Sequence, residues 1–385
     1  MKIGVIGAGR LGICFALLCE EAGYDVLVSD IKKEYVDQLN ERKIDTNEPE
    51  VDILLRKASN FRATVSNREV IEQCDLIYTL VATPSLPDGS YDISSVWDVA
   101  KEFDGITDKK YFVVGCTVNP GDCEKFKKEL PQNIKVLYNP EFIAQGTIIN
   151  DLRNADMVLL GYDIEFEFDS PIISDIRKLY KKIQTSRAIV CAMSTTAAEI
   201  TKIAVNCYLT TKISYANMLG DILTMAGCGD EITGVLSAIG SDTRIGRSYL
   251  NYGLGYGGPC LPRDNRAFAA FAKNLGMMYN LGLITDGINN EHAEFVCKFY
   301  ENMNSDKLPF YFDYITYKKG TDILTESQQY RLCTDLLDRG YTVYIHNDKK
   351  VIDQIYDTLV FKYKDRVKFV DTKENISEPF FVVNV

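Results

Sequence analysis

Apolar and polar residues alternate in blocks along the first half of the chain. Lys2 to Ile6 is a short apolar run, Gly7 to Gly12 a turn, and Leu11 to Ala22 a stretch with helical spacing. Gly23 ends that helix, and Asp25 to Ser29 makes the next strand. Further apolar runs follow at Leu76–Val81, Tyr111–Gly115, Val136–Tyr138 and Met157–Gly161, separated by helical or polar stretches. Strands alternating with helices predict a parallel sheet covered by helices, of Rossmann type, over residues 1–193.

Residues 195–219 hold neither Gly nor Pro, and Ile200, Ile203, Ala204, Cys207, Tyr208 and Thr211 recur at helical spacing. A long central helix is expected there, with helical segments completing a central domain over residues 194–304. Strand-like runs return at Phe310–Tyr317, Thr342–His346, Val367–Val370 and Phe380–Val385, with a helix candidate at Glu326–Arg339. They predict a smaller α/β domain over residues 305–385.

Two glycine-rich segments carry the candidate chemistry. Gly7-Ala8-Gly9-Arg10-Leu11-Gly12 fits G-x-G-x-x-G, follows a strand, opens a helix, and precedes Asp30 at the end of the next strand. That context lets a pyrophosphate sit at a helix N-terminus and lets Asp30 accept from a ribose 2′-hydroxyl. NAD is favoured over NADP, with Lys32 and Lys33 nearby tempering the argument. The second segment runs from Tyr252 to Asp264, with four glycines and two prolines around Cys260. It cannot be helix or regular strand, and its backbone N–H groups could approach a ligand closely. A cysteine there is either a nucleophile in a polar setting or an inert residue in a structural turn, and spacing alone leaves both open. Lys202 and Asn206 share one face of the long helix and could hold a developing oxyanion. The plainer reading pairs Lys202 with Glu199 on a solvated face.

Composition narrows the rest. A net charge of −11 speaks against a nucleic-acid partner. No apolar run is long enough to span a bilayer, and Met1-Lys2 leads straight into a strand rather than a signal peptide, so a soluble, cytoplasmic protein is expected. The eleven cysteines contain no C-x-x-C pair, the usage of a reducing compartment, and no metal is expected. His292 and His346 are the only histidines, neither in a polar or glycine-rich cluster, which leaves acid/base chemistry to Lys, Asp or Glu.

Taken together, these residues resemble the UDP-glucose/GDP-mannose dehydrogenase family over nearly the whole chain. Gly7 to Gly12 and Asp30 resemble its NAD site, Thr83-Pro84-Ser85 its loop beside the cofactor, and Cys116-Thr117 a segment near the reacting carbon. Asn139-Pro140-Glu141-Phe142 matches N-P-E-F, Glu199-x-x-Lys202-x-x-x-Asn206 its catalytic helix, and Gly257 to Asp264 its G-G-x-C-x-P-[KR]-D motif. The resemblance implies catalytic roles for Cys260, Lys202, Asn206, Asp264, Thr117 and Glu141. It implies cofactor contacts from Gly7, Ala8, Gly9, Arg10, Leu11, Gly12, Asp30, Thr83, Thr117 and Arg263. For the substrate it implies Glu141, Phe142, Lys202, Asn206, Arg244, Tyr249, Asn251, Gly253, Gly255, Gly257 and Lys318.

The implied reaction is a four-electron, NAD-dependent oxidation of a nucleotide sugar through a Cys260 thioester, with a homodimer or a multiple of it as the working form. The stretch Tyr249 to Gly258 most resembles the UDP-glucose enzymes, with GDP-mannose and UDP-N-acetylhexoses as alternatives. Two positions depart from the family: Gln145 replaces a second Glu, and Thr325 replaces an Arg. A two-electron β-hydroxyacid dehydrogenase and a non-catalytic sensor are the rival readings.

Overall fold

The computed structural model describes residues 1–163 and 170–383 and divides the chain into two compact units, Met1–Ile203 and Ala204–Val385. The first is built on eight strands: β1 (Lys2–Ile6), β2 (Asp25–Ser29), β3 (Phe61–Thr64), β4 (Leu76–Thr79), β5 (Lys110–Val114), β6 (Ile134–Tyr138), β7 (Met157–Gly161) and β8 (Ile189–Met193). Their order is β3-β2-β1-β4-β5-β6-β7-β8. Every pairing is parallel except β6 with β7, which meet at Tyr138 and Gly161. That reversal lets the chain return from the end of β6 without a crossover.

Side chains alternate between the two faces of the sheet. Ile3, Val5, Val26, Val28 and Leu160 pack with Phe15, Leu17 and Leu18 of the helix Arg10–Glu21 on one face. Ile6, Leu27, Ile77, Phe112, Val114 and Leu159 pack with Val70, Phe103 and Phe126 on the other. Burial on both faces explains why the central strands read as continuous apolar runs. The two strands that the periodicity does not reveal, β3 and β8, are the sheet's edges. An edge strand pairs on one side only, and exposed Arg62 and Ile189 dilute its apolar signal.

In the second unit, β9 (Phe310–Phe312), β10 (Val343–Ile345), β11 (Val367–Phe369) and β12 (Phe381–Val382) form a parallel sheet in the order β11-β10-β9-β12. The expected strand from Phe310 stops at Phe312, because the chain then turns and Tyr317 N–H bonds the Ile323 carbonyl. Of the run expected at Phe380–Val385, Asn384 and Val385 lie outside the described residues. The helix expected at Glu326–Arg339 is Gln328–Asp338, its first turn held by the Ser327 hydroxyl accepting from Tyr330 N–H. A further helix, Lys349–Tyr363, buries Val351, Ile355, Leu359 and Tyr363 at four-residue spacing.

The long helix runs Thr195–Met225, past the expected end. Gly220 lies within it, and there the Tyr252 ring packs directly on the helix backbone, so that a Cβ would lie 2.1 Å from the ring. Among the described residues no helix is long and apolar enough to cross a membrane.

Leu336 is fully buried between β9, β10 and their helices. Leu336→Ala should cost about 2–5 kcal/mol, read as a lower denaturation midpoint for the second unit.

Candidate active site

In the first unit the predicted residues gather where strands end. β1 and β4 are neighbours although they are far apart in sequence, so the chain leaves β1 toward β2 on one side and β4 leads away on the other. A crevice at the carboxyl ends follows at such a switch point. Gly7, at the end of β1, has φ +95°, and a Cβ on Gly12 would lie 1.9 Å from the Gly7 carbonyl oxygen. Both positions therefore require glycine. Gly9, at the N-terminus of the helix Arg10–Glu21, faces open space instead, with nothing within 4 Å of a Cβ. Asp30 Oδ2 accepts from Ala8 N–H at 3.2 Å and Oδ1 from Lys32 N–H at 3.0 Å, which seats its carboxylate beside the turn. A tight turn, an open approach to a helix N-terminus and a seated carboxylate fit the pyrophosphate and ribose of NAD.

The ends of β4, β5 and β6 bring in the other residues. Thr83 is buried and donates through its hydroxyl to the Thr117 carbonyl at 2.7 Å, tying the two loops together. After β6, Asn139-Pro140-Glu141-Phe142 meets the long helix. Lys202 Nζ donates to the Glu141 carbonyl at 2.9 Å and lies 4.5 Å from the Phe142 ring centroid. Lys202 does not pair with Glu199 on a solvated face. Glu199 is fully buried and accepts from Gly121 N–H at 2.6 Å and Cys123 N–H at 2.8 Å, around the start of the helix Asp122–Glu129. Burial raises its carboxyl to about 6 against the lowering of those N–H groups. Gln145, the departure from the family, accepts from Arg10 at 3.4 Å.

Burial also raises the Glu141 carboxyl, from the ordinary 4.5 to about 7, against the lowering of the Tyr180 hydroxyl and the Lys202 ammonium. Tyr180, on the helix Pro171–Ile183, bonds Glu141 directly and Asn139 Oδ1 at 2.8 Å. No sequence signal separated Tyr180 from an ordinary core aromatic on that helix.

In the second unit Cys260 stands at the N-terminus of the helix Leu261–Asn274, and the Asp264 N–H closes the first turn onto the Cys260 carbonyl at 2.9 Å. Asp264 is fully buried. Asn206 Nδ2 donates to its Oδ2 at 2.6 Å and Arg263 Nε to its Oδ1 at 3.2 Å. Cys260 itself is only partly buried, and so differs from most of the chain's other cysteines. The glycine loop before it is stitched by amides. Asn217 holds Gly253 N–H and the Leu254 carbonyl, and Asn289 holds both the N–H and the carbonyl of Tyr256. A Cβ on Gly255 would lie 2.2 Å from Asn289 Oδ1, and one on Gly257 2.3 Å from the Glu326 carbonyl oxygen.

His292, set aside on sequence grounds, lies within this buried polar network. Its Nδ1 meets Asp221 Oδ2 and its Nε2 the Gly253 carbonyl, each at 2.7 Å, while Tyr252 donates to the other Asp221 oxygen at 2.9 Å. Its partners come from two distant stretches of sequence, around Asp221 and around Gly253, so local composition could not reveal them.

The remaining predicted residues are less gathered. Arg244 is exposed and spends its guanidinium on Asp242, at 2.6 Å. Tyr249 takes φ +61° and is half-exposed, and Asn251 is exposed. Lys318 is exposed, its carbonyl accepting from the Thr316 and Thr321 hydroxyls.

Residues 1–184 match the NAD-binding domain of the UDP-glucose/GDP-mannose dehydrogenase family, and residues 196–291 match its central domain. The chain belongs to this family. It is an NAD-dependent nucleotide-sugar dehydrogenase. The UDP-glucose 6-dehydrogenase AglM of Haloferax volcanii is 28% identical over 89% of the chain and 82% of its own length. The solved structure of a UDP-glucose dehydrogenase from Pyrobaculum islandicum aligns over 99% of the chain and 89% of its own, with 26% identity and a TM-score of 0.84. A UDP-D-ManNAc dehydrogenase from Pyrococcus horikoshii shares the fold at 20% identity, with a TM-score of 0.75 and 99% of both chains covered.

Gly12→Ala should weaken NAD binding by at least about tenfold in calorimetry, since a methyl cannot fit against Gly7 without moving the turn. Glu141 also makes a pH signature. Its carboxyl is held higher in the fold than in an unfolded chain, so the folded state binds more protons between pH 4.5 and about 7. The stability it contributes is full below 4.5 and lost as the pH rises through about 7. Thermal midpoints of the parent relative to Glu141→Gln should therefore fall across that window and level off above it.

Proposed function

We propose that the chain oxidises the C6 alcohol of UDP-glucose to the carboxylate of UDP-glucuronate through a thioester on Cys260. The observation that carries this reading is Cys260 at the mouth of a helix whose first turn holds a buried Asp264, clamped by Asn206 and Arg263. Those two partners offset the cost of burying the carboxylate and hold it in the helical turn that Cys260 opens.

NAD, when bound, accepts a hydride in each of two oxidations. In the first, the C6 alcohol loses its hydride and passes its O–H proton to solvent, with Lys202 and Asn206 holding the oxygen as the aldehyde forms. The Cys260 thiolate adds to the aldehyde carbon, giving a thiohemiacetal, and loss of the second hydride leaves a thioester. Asp264 and Thr117 position a water, and Glu141 takes its proton. The oxygen adds to the acyl carbon, the C–S bond breaks, and uronate leaves with the thiolate regenerated.

Gly7 to Gly12, Asp30, Thr83, Thr117 and Arg263 serve the cofactor. Glu141, Phe142, Arg244, Tyr249, Asn251, Gly253, Gly257 and Lys318 serve the nucleotide sugar. We assign the NAD domain to residues 1–193, the central helical domain to 194–304 and the UDP-sugar domain to 305–385. The working form is a cytoplasmic homodimer or a multiple of it.

UDP-glucose run to completion should yield two NADH per sugar, with GDP-mannose and UDP-N-acetylhexoses tested in parallel. Two NADH from another sugar would keep the mechanism and move the substrate, whereas one would point to a two-electron enzyme. Cys260→Ser should abolish turnover and leave NAD affinity unchanged in calorimetry. Turnover near the parent rate in that variant would sink the thioester.

A further inference from the structure

Proton accounting around Glu141 assigns a role to a residue outside the family motifs quoted above. Asn139 is buried, and its Nδ2 donates to the Leu159 carbonyl at 3.0 Å. That bond fixes the amide, since the reverse orientation would set two carbonyl oxygens against each other. Asn139 Oδ1 therefore faces two phenols, Tyr78 at 3.2 Å and Tyr180 at 2.8 Å. An amide oxygen accepts only, so each phenol that bonds it must donate its one proton. Tyr180 then has no proton left for Glu141, which it also touches. The bond between them closes only if Glu141 is the donor, as a neutral carboxylic acid.

When Glu141 ionises, the same phenol has a second choice: it turns its proton to the carboxylate and releases Asn139. Tyr78 continues to bond Asn139, so the amide oxygen is not abandoned. Both charge states of this partly buried carboxyl thus keep a hydrogen bond, and the change between them needs only rotation of one O–H. This matters because an unbonded buried carboxylate is strongly disfavoured.

We propose that Tyr180 is the positioning residue that governs the charge state of Glu141, its phenolic proton pointing to Asn139 when Glu141 is neutral and to Glu141 when it is ionised. The proposal rests on the hydrolytic role given to Glu141 above. The other titratable groups facing Glu141 within this unit are Cys19, Tyr78 and Lys202. Burial holds the Cys19 thiol and the Tyr78 phenol far above their usual ranges, so both stay neutral through the neutral pH range. Lys202 favours the carboxylate, and it cannot donate in one state and accept in the other.

The test uses the full chain with NAD and UDP-glucose and three proteins: parent, Tyr180→Phe and Tyr78→Phe. Phenylalanine keeps the ring and its packing on Phe15. In Tyr180→Phe the carboxylate loses its donor, so the acidic limb of the kcat–pH profile should move up by about one to two pH units. Tyr78→Phe should move the limb up by clearly less, because Tyr78 acts on Glu141 only through the amide oxygen it shares with Tyr180. A merely structural role for Tyr180 would lower kcat at every pH while moving neither the limb nor the titration of the Glu141 carboxyl, and that result overturns the proposal. Equal shifts in both variants would overturn it as well.

A second readout does not depend on turnover. The infrared carboxyl band of Glu141, identified by its loss in Glu141→Gln, should titrate higher in Tyr180→Phe than in the parent. In the parent, a tyrosine C–O band should change at the same pH and vanish in Tyr180→Phe. A shifted carboxyl band with an unmoved rate limb would retire the hydrolytic role of Glu141 and support the Tyr180 assignment. An unmoved band would overturn the assignment itself.

Discussion

Parallel pairing of neighbouring strands is the constraint on which the N-terminal half depends. Strands β1, β2, β4, β5 and β6 all point the same way, so the chain must leave all five at one edge of the sheet. Gly7, Asp30, Thr83, Thr117 and Glu141 follow those five ends in order. Residues separated by more than a hundred positions therefore share one rim without any direct pairing between most of them. The core beneath is apolar on both faces, which keeps the strand ends fixed while the loops above stay free to carry polar chemistry.

A second constraint is the cost of burying polar groups, and the chain meets it differently at each carboxylate. Glu199 is fully buried and satisfied by backbone N–H groups near a helix start, which makes it part of the scaffold. Asp264 is satisfied by one amide and one guanidinium, held rigid at the first turn after Cys260. Glu141 is bonded to a phenol that can serve either charge state, and it alone has its carboxyl brought to about 7. Glu199 and Asp264 are fully buried and Glu141 partly so, and in each case the partners decide whether the acid is structural, fixed or switchable.

The glycine loop of the second unit follows the same logic. Its glycines let Asn289, Glu326 and Tyr317 come close to the backbone, and at Gly258 φ is +80°. Loop N–H and carbonyl groups that cannot pair in a sheet are taken up by Asn217, Asn289, Gln328 and His292. The segment is thus irregular but held at many points, which is what the thioester role proposed for Cys260 would require.

The sequence by itself determined whatever depends on near neighbours. The strand–turn–helix at the N-terminus, the position of Asp30, the shared helix face of Lys202 and Asn206, and the loop around Cys260 were legible because turn chemistry and helical periodicity act over a few residues. It missed the edge strands β3 and β8, whose one-sided pairing leaves little apolar signature, and it did not anticipate that Gly220 would continue the long helix beneath the Tyr252 ring. Tertiary structure alone decided the partners of buried polar groups. Glu199 turned inward to distant N–H groups instead of to Lys202, His292 found Asp221 and Gly253, and Tyr180 came to stand between Asn139 and Glu141. The reason is physical: a buried donor or acceptor must be satisfied by whichever group packing brings within about 3 Å, and that group is chosen by the fold, not by distance along the chain.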